Sequence, residues 1–487
     1  METQQLSASV SLSVADILGM MLSIALPWIL GTVLVRLILG KRNYPFTLYL
    51  GHGYLLGLFV ATLLLHAWDS LDLAFNFYVM ALTLAGLTAG IALADVSMHG
   101  RNLAVAGGSH DNQASLESWE KIACVLLIGL IGLRLASIGQ EVWLRPIFGW
   151  DAWASWTPQT LQFYDNQSLS ADLNTLKKSH GIFSNLVHLW SMLGASNTST
   201  TFTGLPWLFA MLSLVCAVYG HLRTEKFSMP VSLLGGYFVA SLPFLDLHIT
   251  LVGFADFWLT LAFTLGILSI TLYSNTGKSS LFILSILYAV FCAAIKQAGI
   301  GITAILMFCV IAQIFIQTAR TRLKIIALAG LTVMLITVVT VFTTGFQASF
   351  NTPLIGQLTF GRDLIQVPGV VIKLKEYQSI TFPVIESTLL FSSWHLLTYL
   401  FMGMAGYSAA TRKWSLLAHP AVFAAFATLA YTWIYHSLSA PNAAYNHTGL
   451  SRSLMYVTPA MIYWVFLATR SISTSGKFLP AQKKFNS

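Results

Sequence analysis

Apolar residues run in stretches of about twenty along most of this chain, broken by short polar connections. A helix crosses the hydrocarbon core of a bilayer in about 20 residues, so each stretch reads as a membrane span. The pattern predicts about thirteen spans, near 17–39, 49–66, 73–95, 121–139, 201–221, 229–246, 256–274, 280–296, 298–318, 325–345, 388–408, 418–437 and 453–470. Ten-residue segments of alternating polarity, the mark of a membrane barrel, are missing. The expected class is therefore all-α: a polytopic transmembrane helical bundle. Two polar stretches are longer than a tight connection, at about 140–200 and 346–387. The first should hold a helix over 152–164 and an amphipathic one over 183–194, with Leu186, Trp190 and Leu193 on one face. Both are expected to lie in the membrane surface as interfacial helices, forming a lid.

Composition sharpens this reading. Of the 487 residues 56% are hydrophobic and 9% charged, against roughly 25% charged in soluble domains. The net charge of +8 would ordinarily suggest an acidic partner. Its placement argues instead for orientation, and against nucleic acid. Lys41/Arg42, Arg101, Arg223/Lys226, Lys278, Arg320/Arg322/Lys324, Arg412/Lys413 and the tail from Lys477 to Lys484 occupy alternate connections. Basic connections stay in the cytoplasm, so the N-terminus is expected outside and the C-terminus inside, with both long polar loops outside. Cys124, Cys216, Cys292 and Cys309 fall in apolar runs without metal-ligand spacing and read as core thiols. The first apolar run follows a segment without Lys or Arg, so no cleaved signal is expected.

A few polar residues stand out from the apolar background. In RPIFGWDAWASWTPQT, 145–160, Trp150, Trp153 and Trp156 recur at every third position, making an indole face suited to a membrane boundary. Asp151 beside them reads structurally as the N-cap of the following helix, and chemically as a base at the depth of lipid headgroups. Lys177, Lys178 and His180 follow in the same loop. Asp256 comes after the Gly-Phe-Ala turn at 253–255 and opens an apolar helix, where an ionisable group is either a cap or functional. Asp246 and His248 share its connection and should face the same space. Lys296, in AAIKQAGIG, falls outside against the positive-inside trend, and Arg452, in GLSRSLMYVTP, enters the last helix. Either cation can snorkel to the surface. Together they can hold a phosphate, Arg in bidentate fashion and Lys as a point charge.

Phosphate-binding Gly-Lys loops, His-Glu-x-x-His and Cys-x-x-Cys are not found. The small residues of GLTAG and GTVLV serve helix packing, and NQS, NTS and NHT match a glycosylation pattern that is common by chance.

The ordered set GWDAWASW, GFAD (253–256), IKQAG and SRSLMYVTP resembles the GT-C superfamily of polytopic glycosyltransferases. Within that superfamily it is similar to the protein O-mannosyltransferases and aminoarabinose transferases. The resemblance spans roughly 120–470. It divides the chain into an N-terminal three-span segment (1–119), a transmembrane core (120–470) and a basic cytoplasmic tail (471–487). What the resemblance implies is inverting transfer of a hexose or pentose from a polyprenyl phosphate to a glycan, lipid or protein acceptor. It makes Asp151 the base, with Lys177, Lys178, His180, His248, Asp256, Lys296 and Arg452 as donor-phosphate or substrate contacts. Trp150 and Trp153 become substrate or interface contacts. It requires no cofactor and leaves room for a divalent metal between Asp151 and Asp256. It implies a bacterial inner-membrane enzyme working on the outer face. The rival reading is a secondary transporter or flippase lined by Asp256, Lys296 and Arg452.

Overall fold

The computed structural model describes residues 13–40, 44–99, 116–170, 181–199, 202–317, 378–438, 440–447 and 449–475, together with four strands inside 348–373. It is a helical bundle. The long helices are α1 (Val14–Leu39), α2 (Phe46–Ser70), α3 (Phe77–His99), α4 (Ser118–Leu144), α7 (Leu205–Thr224), α10 (Asp256–Thr276), α12 (Ala298–Gln317) and α14 (Pro420–Leu438). Among the described residues, these eight are long and apolar enough to cross a membrane. A ninth span arises if α8 (Met229–Ala240) and α9 (Pro243–Thr250), bent by 58° at their junction, are taken together. Pro243 sets that break, since proline cannot continue the helical ladder. α11 (Ser279–Ile295) is apolar but shorter, and α13 (Leu397–Ala410) is shorter again. The last segment is divided into α15 (Leu450–Met455) and α16 (Thr458–Ser475). The expected span at 325–345 lies outside the described residues.

α10 forms the axis of the bundle and is buried along almost its whole length, with Trp258 at its first turn. α1 and α2 approach so closely that glycine is required. A Cβ on Gly57 would stand 1.6 Å from the Pro27 carbonyl oxygen, and one on Gly31 would stand 1.9 Å from that of Gly53. Close backbone contact through small residues is how helices associate where lipid removes the hydrophobic drive. Gly31 thus fulfils the packing role expected of GTVLV. Gly86 and Gly90 of GLTAG have nothing within 4 Å and do not.

Two elements depart from the sequence reading. α6 (Phe183–Ala195) is not a lid on the leaflet, because all thirteen of its residues are buried. Distant partners make that burial possible: Trp190 Nε1 donates to the Ser23 carbonyl at 2.8 Å, and His188 shares a 2.9 Å hydrogen bond with Thr203. Polar groups so paired lose little on leaving water. The second departure is a four-stranded antiparallel meander, β1 (Ala348–Thr352), β2 (Gly356–Phe360), β3 (Leu364–Val367) and β4 (Val370–Lys373), in the second long loop. Short Val/Ile strands punctuated by Gly-Arg-Asp and Pro-Gly are averaged away by a helix-length window. The helical class stands with this small sheet added.

The two ends of the bundle differ in charge. At one end, Lys278 Nζ donates to the Leu39 carbonyl, Lys413 Nζ to the Ser471 carbonyl, and Arg470 to the Glu225 carbonyl. Arg36 pairs with Asp95 there at 3.2 Å. This basic end gathers every described member of the basic connections named above. The opposite end gathers the C-terminus of α4 and the start of α10.

Replacing Gly57 with alanine should lower stability by about 1–3 kcal/mol, the usual cost of overpacking. Gly86→Ala should be neutral. Denaturant unfolding of both variants in detergent measures the difference.

Candidate functional site

The helix that carries Asp151 begins before it, as Trp153 N donates to the Gly149 carbonyl at 2.8 Å. Asp151 itself has helical dihedrals and makes no side-chain cap. The expected N-cap is thus replaced by a different role: its carboxylate accepts from Arg452 Nη1 at 2.5 Å. Residues Ala152–Trp156 form a π-helical turn before α5 (Thr157–Asn166). The wider turn breaks the three-residue phase of the tryptophans. Trp150 and Trp153 stand exposed with ring centroids 5.9 Å apart, while Trp156 turns in to pack on the core.

Asp256 is the first helical residue of α10, not its cap, and is 2% exposed. A carboxylate in the first turn suits the helix dipole, but its direct partners decide its state. Lys296 Nζ donates to Oδ1 at 2.7 Å, and the Tyr456 hydroxyl donates to the same oxygen at 2.7 Å. Lys296 sits in extended backbone between α11 and α12, so its side chain leaves the helical ladder and reaches across to α10. Asp256 also feels the charge of Arg452, with the His248 ring close by. Arg452 therefore stands between two carboxylates, bonded to Asp151 and drawn by Asp256, with its guanidinium 5.1 Å over the Phe254 ring.

Five sequence candidates from four distant stretches meet here: Asp151, His248, Asp256, Lys296 and Arg452. His248 is buried, donates from Nδ1 to the Phe244 carbonyl at 3.1 Å, and has no partner at Nε2 among the described residues. Asp246 does not share the space as expected. It pairs with Arg134 of α4 instead. Lys177, Lys178 and His180 lie outside the described residues. Gly181, next along the chain, has φ +82 and packs on Ile295 and Lys296, where a Cβ would meet the Ile295 carbonyl oxygen at 2.6 Å.

Tyr456 and Phe254 were missed by sequence reasoning. An aromatic at helical spacing reads as core, and only the i,i+4 relation of Arg452 to Tyr456 could have pointed inward. Asp151 and Asp256 each already take a cation from the chain, and no group of three or more His, Cys, Asp or Glu side chains gathers among the described residues.

The buried pair predicts a thermodynamic asymmetry. Asp256→Ala leaves Lys296 facing no counter-charge and should cost about 3–5 kcal/mol, whereas Asp256→Leu with Lys296→Met should cost much less. Unfolding curves of the two variants and the parent protein test this.

No protein family matches the chain, and neither the curated proteins nor the solved structures compared with it give a match.

Proposed function

We propose that this chain is a membrane-embedded inverting glycosyltransferase using a polyprenyl-phosphate sugar as donor, with its site on the outer face of a bacterial inner membrane. This reading keeps the thirteen-span arrangement with the N-terminus outside. The observation that carries it is the Asp151–Arg452 pair, a part-exposed carboxylate and cation standing beside exposed indoles and backed by the buried Asp256–Lys296 pair.

The chemistry follows from that arrangement. An arriving phosphate diester exchanges for a carboxylate as the partner of Arg452, which frees Asp151 Oδ2. Asp151 then takes the proton of an acceptor hydroxyl or amine as the acceptor atom bonds to the anomeric carbon. The bond from that carbon to the phosphate oxygen breaks, and polyprenyl phosphate departs with its charge held by Arg452 and Lys296. Lys177 and Lys178 are assigned to the same phosphate, with His180 and His248 lining the substrate space. Asp256 and Tyr456 are positioning residues that aim Lys296. Trp150 and Trp153 supply faces on which a sugar ring stacks.

One feature favours the transporter reading. The α11–α12 interruption opens at Lys296 and the bent α8–α9 pair carries His248, and broken helices of this kind form binding sites in secondary transporters.

Reconstituted protein supplied with radiolabelled polyprenyl-phosphate sugars separates the two. Release of sugar to water or envelope acceptors is expected from the parent protein and should fall about 10²–10⁴-fold in Asp151→Asn, with lipid binding retained. Movement of label across sealed vesicles without release, equal in both proteins, would overturn the enzyme.

A further inference from the structure

Away from the charged cluster, toward the basic end, the bundle buries a second polar assembly that the proposed chemistry does not use. His52 lies near the start of α2, His221 in the last turn of α7 and Tyr288 in α11, each at most 1% exposed. His52 Nδ1 is 2.8 Å from the Tyr288 hydroxyl, and His52 Nε2 is 2.9 Å from His221 Nε2. Two ring nitrogens at that distance share a proton, since two lone pairs would repel and two N–H groups would clash.

The row continues. His221 Nδ1, the Tyr463 hydroxyl and His419 Nε2 are all buried without a partner among the described residues. Their rings are neighbours, at centroid separations of 6.1 Å for His221–Tyr463 and 6.3 Å for His419–Tyr463. Three unpaired polar atoms around one ring are costly in an apolar interior unless they serve one another, directly or through a water.

Their tautomers give the row a direction. His419 Nδ1 accepts from Ala421 N at 3.1 Å, so its Nε2 carries hydrogen. From there hydrogen can be handed along the row: His419 Nε2–H through a water to Tyr463 Oη, Tyr463 O–H through a water to His221 Nδ1, His221 Nε2–H to His52 Nε2, and His52 Nδ1–H to Tyr288 Oη. The Tyr288 hydroxyl ends the row on the His52 carbonyl at 3.4 Å.

We propose that His419, Tyr463, His221, His52 and Tyr288 form a buried proton relay that loads a proton from the basic end onto the His52–His221 pair. A proton from water bonds to His419 Nδ1, displacing the Ala421 N–H. His419, Tyr463 and His221 each then pass on one proton, and His52 becomes imidazolium. Each group regains the proton it gave, so the net change is one proton taken from water. Among the described residues, Glu225 is the charged group felt at Tyr463, and His52 is the titratable group felt at His221. Beyond Tyr288 come the rings of Phe291, Phe59 and Phe183, stacked on one another and without a polar atom to carry the proton on, so the proton is held. This relay stands independently of the glycosyltransferase reading.

The test is proton uptake by the purified full chain, read with a pH dye as the medium is taken from about pH 8 to about pH 4, a range that reaches below the ordinary imidazole window because burial disfavours the charged ring. The parent protein should take up about one proton more per chain than His52→Gln, whose amide can still hydrogen-bond. Tyr463→Phe should reach the parent end point more slowly. Equal uptake by parent and folded His52→Gln would overturn the proposal and make the row a helix-to-helix fastening only. Where His52→Gln does not fold, nitrogen spectra of ¹⁵N-histidine parent protein decide: coupling across the His52–His221 bond that changes with pH supports the relay, and two fixed, pH-insensitive tautomers reject it.

Discussion

The ion pair of Asp256 with Lys296 is the constraint around which this end of the molecule is arranged. A carboxylate at the head of the most buried helix must be compensated within the protein, because neither lipid nor core can solvate it. Lys296 meets that need only by leaving the helical ladder, which is why α11 and α12 are separate. The Tyr456 hydroxyl meets the rest, and so the α15–α16 junction is brought against the start of α10. With that junction fixed, Arg452 falls one turn away and reaches Asp151. A single buried charge thus ties the beginning of α10, the α11–α12 break and the last segment to the loop after α4.

Most of this site was legible in the sequence because charges are rare in it. Asp151, Asp256, Lys296 and Arg452 drew attention simply as ionisable groups in or beside apolar runs, and their convergence follows from the cost of leaving any of them alone. What the sequence hid was of the opposite kind. Tyr456 and Phe254 look like ordinary core aromatics, and His52 and His221 look like lone polar residues on apolar helices. Only the packing of segments far apart in the chain turns them into partners. α6 departs from its reading for a related reason: Leu186, Trp190 and Leu193 on one face suggested an amphipathic helix at the membrane surface, but on the polar positions Asn185 reaches the Trp156 carbonyl and Thr160, and the helix is buried whole. Hydropathy counts a polar group as wanting water and cannot see a partner supplied from far along the chain.

The two polar assemblies occupy opposite halves of the bundle with stacked phenylalanines between them. One is built of full charges neutralised in pairs, close enough to the surface for Asp151 to keep 44% of its side chain exposed. The other is built of neutral rings, enclosed except at the half-buried His419. That division follows electrostatics: paired ions survive at the edge of a low-dielectric region, whereas its interior favours groups that are uncharged at rest.

The π-turn after Asp151 carries a consequence for how this site came to be and how it can be altered. Such a turn amounts to one extra residue inserted into an α-helix, and each residue of α-helix rotates the chain by about 100°. Removing one residue from Ala152–Trp156 would leave α5 seated on α6 but swing Asp151 about a quarter-turn from Arg452. The aim of the carboxylate is therefore set by chain length as much as by residue identity, so an insertion or deletion there would disarm the site while every one of its side chains was kept.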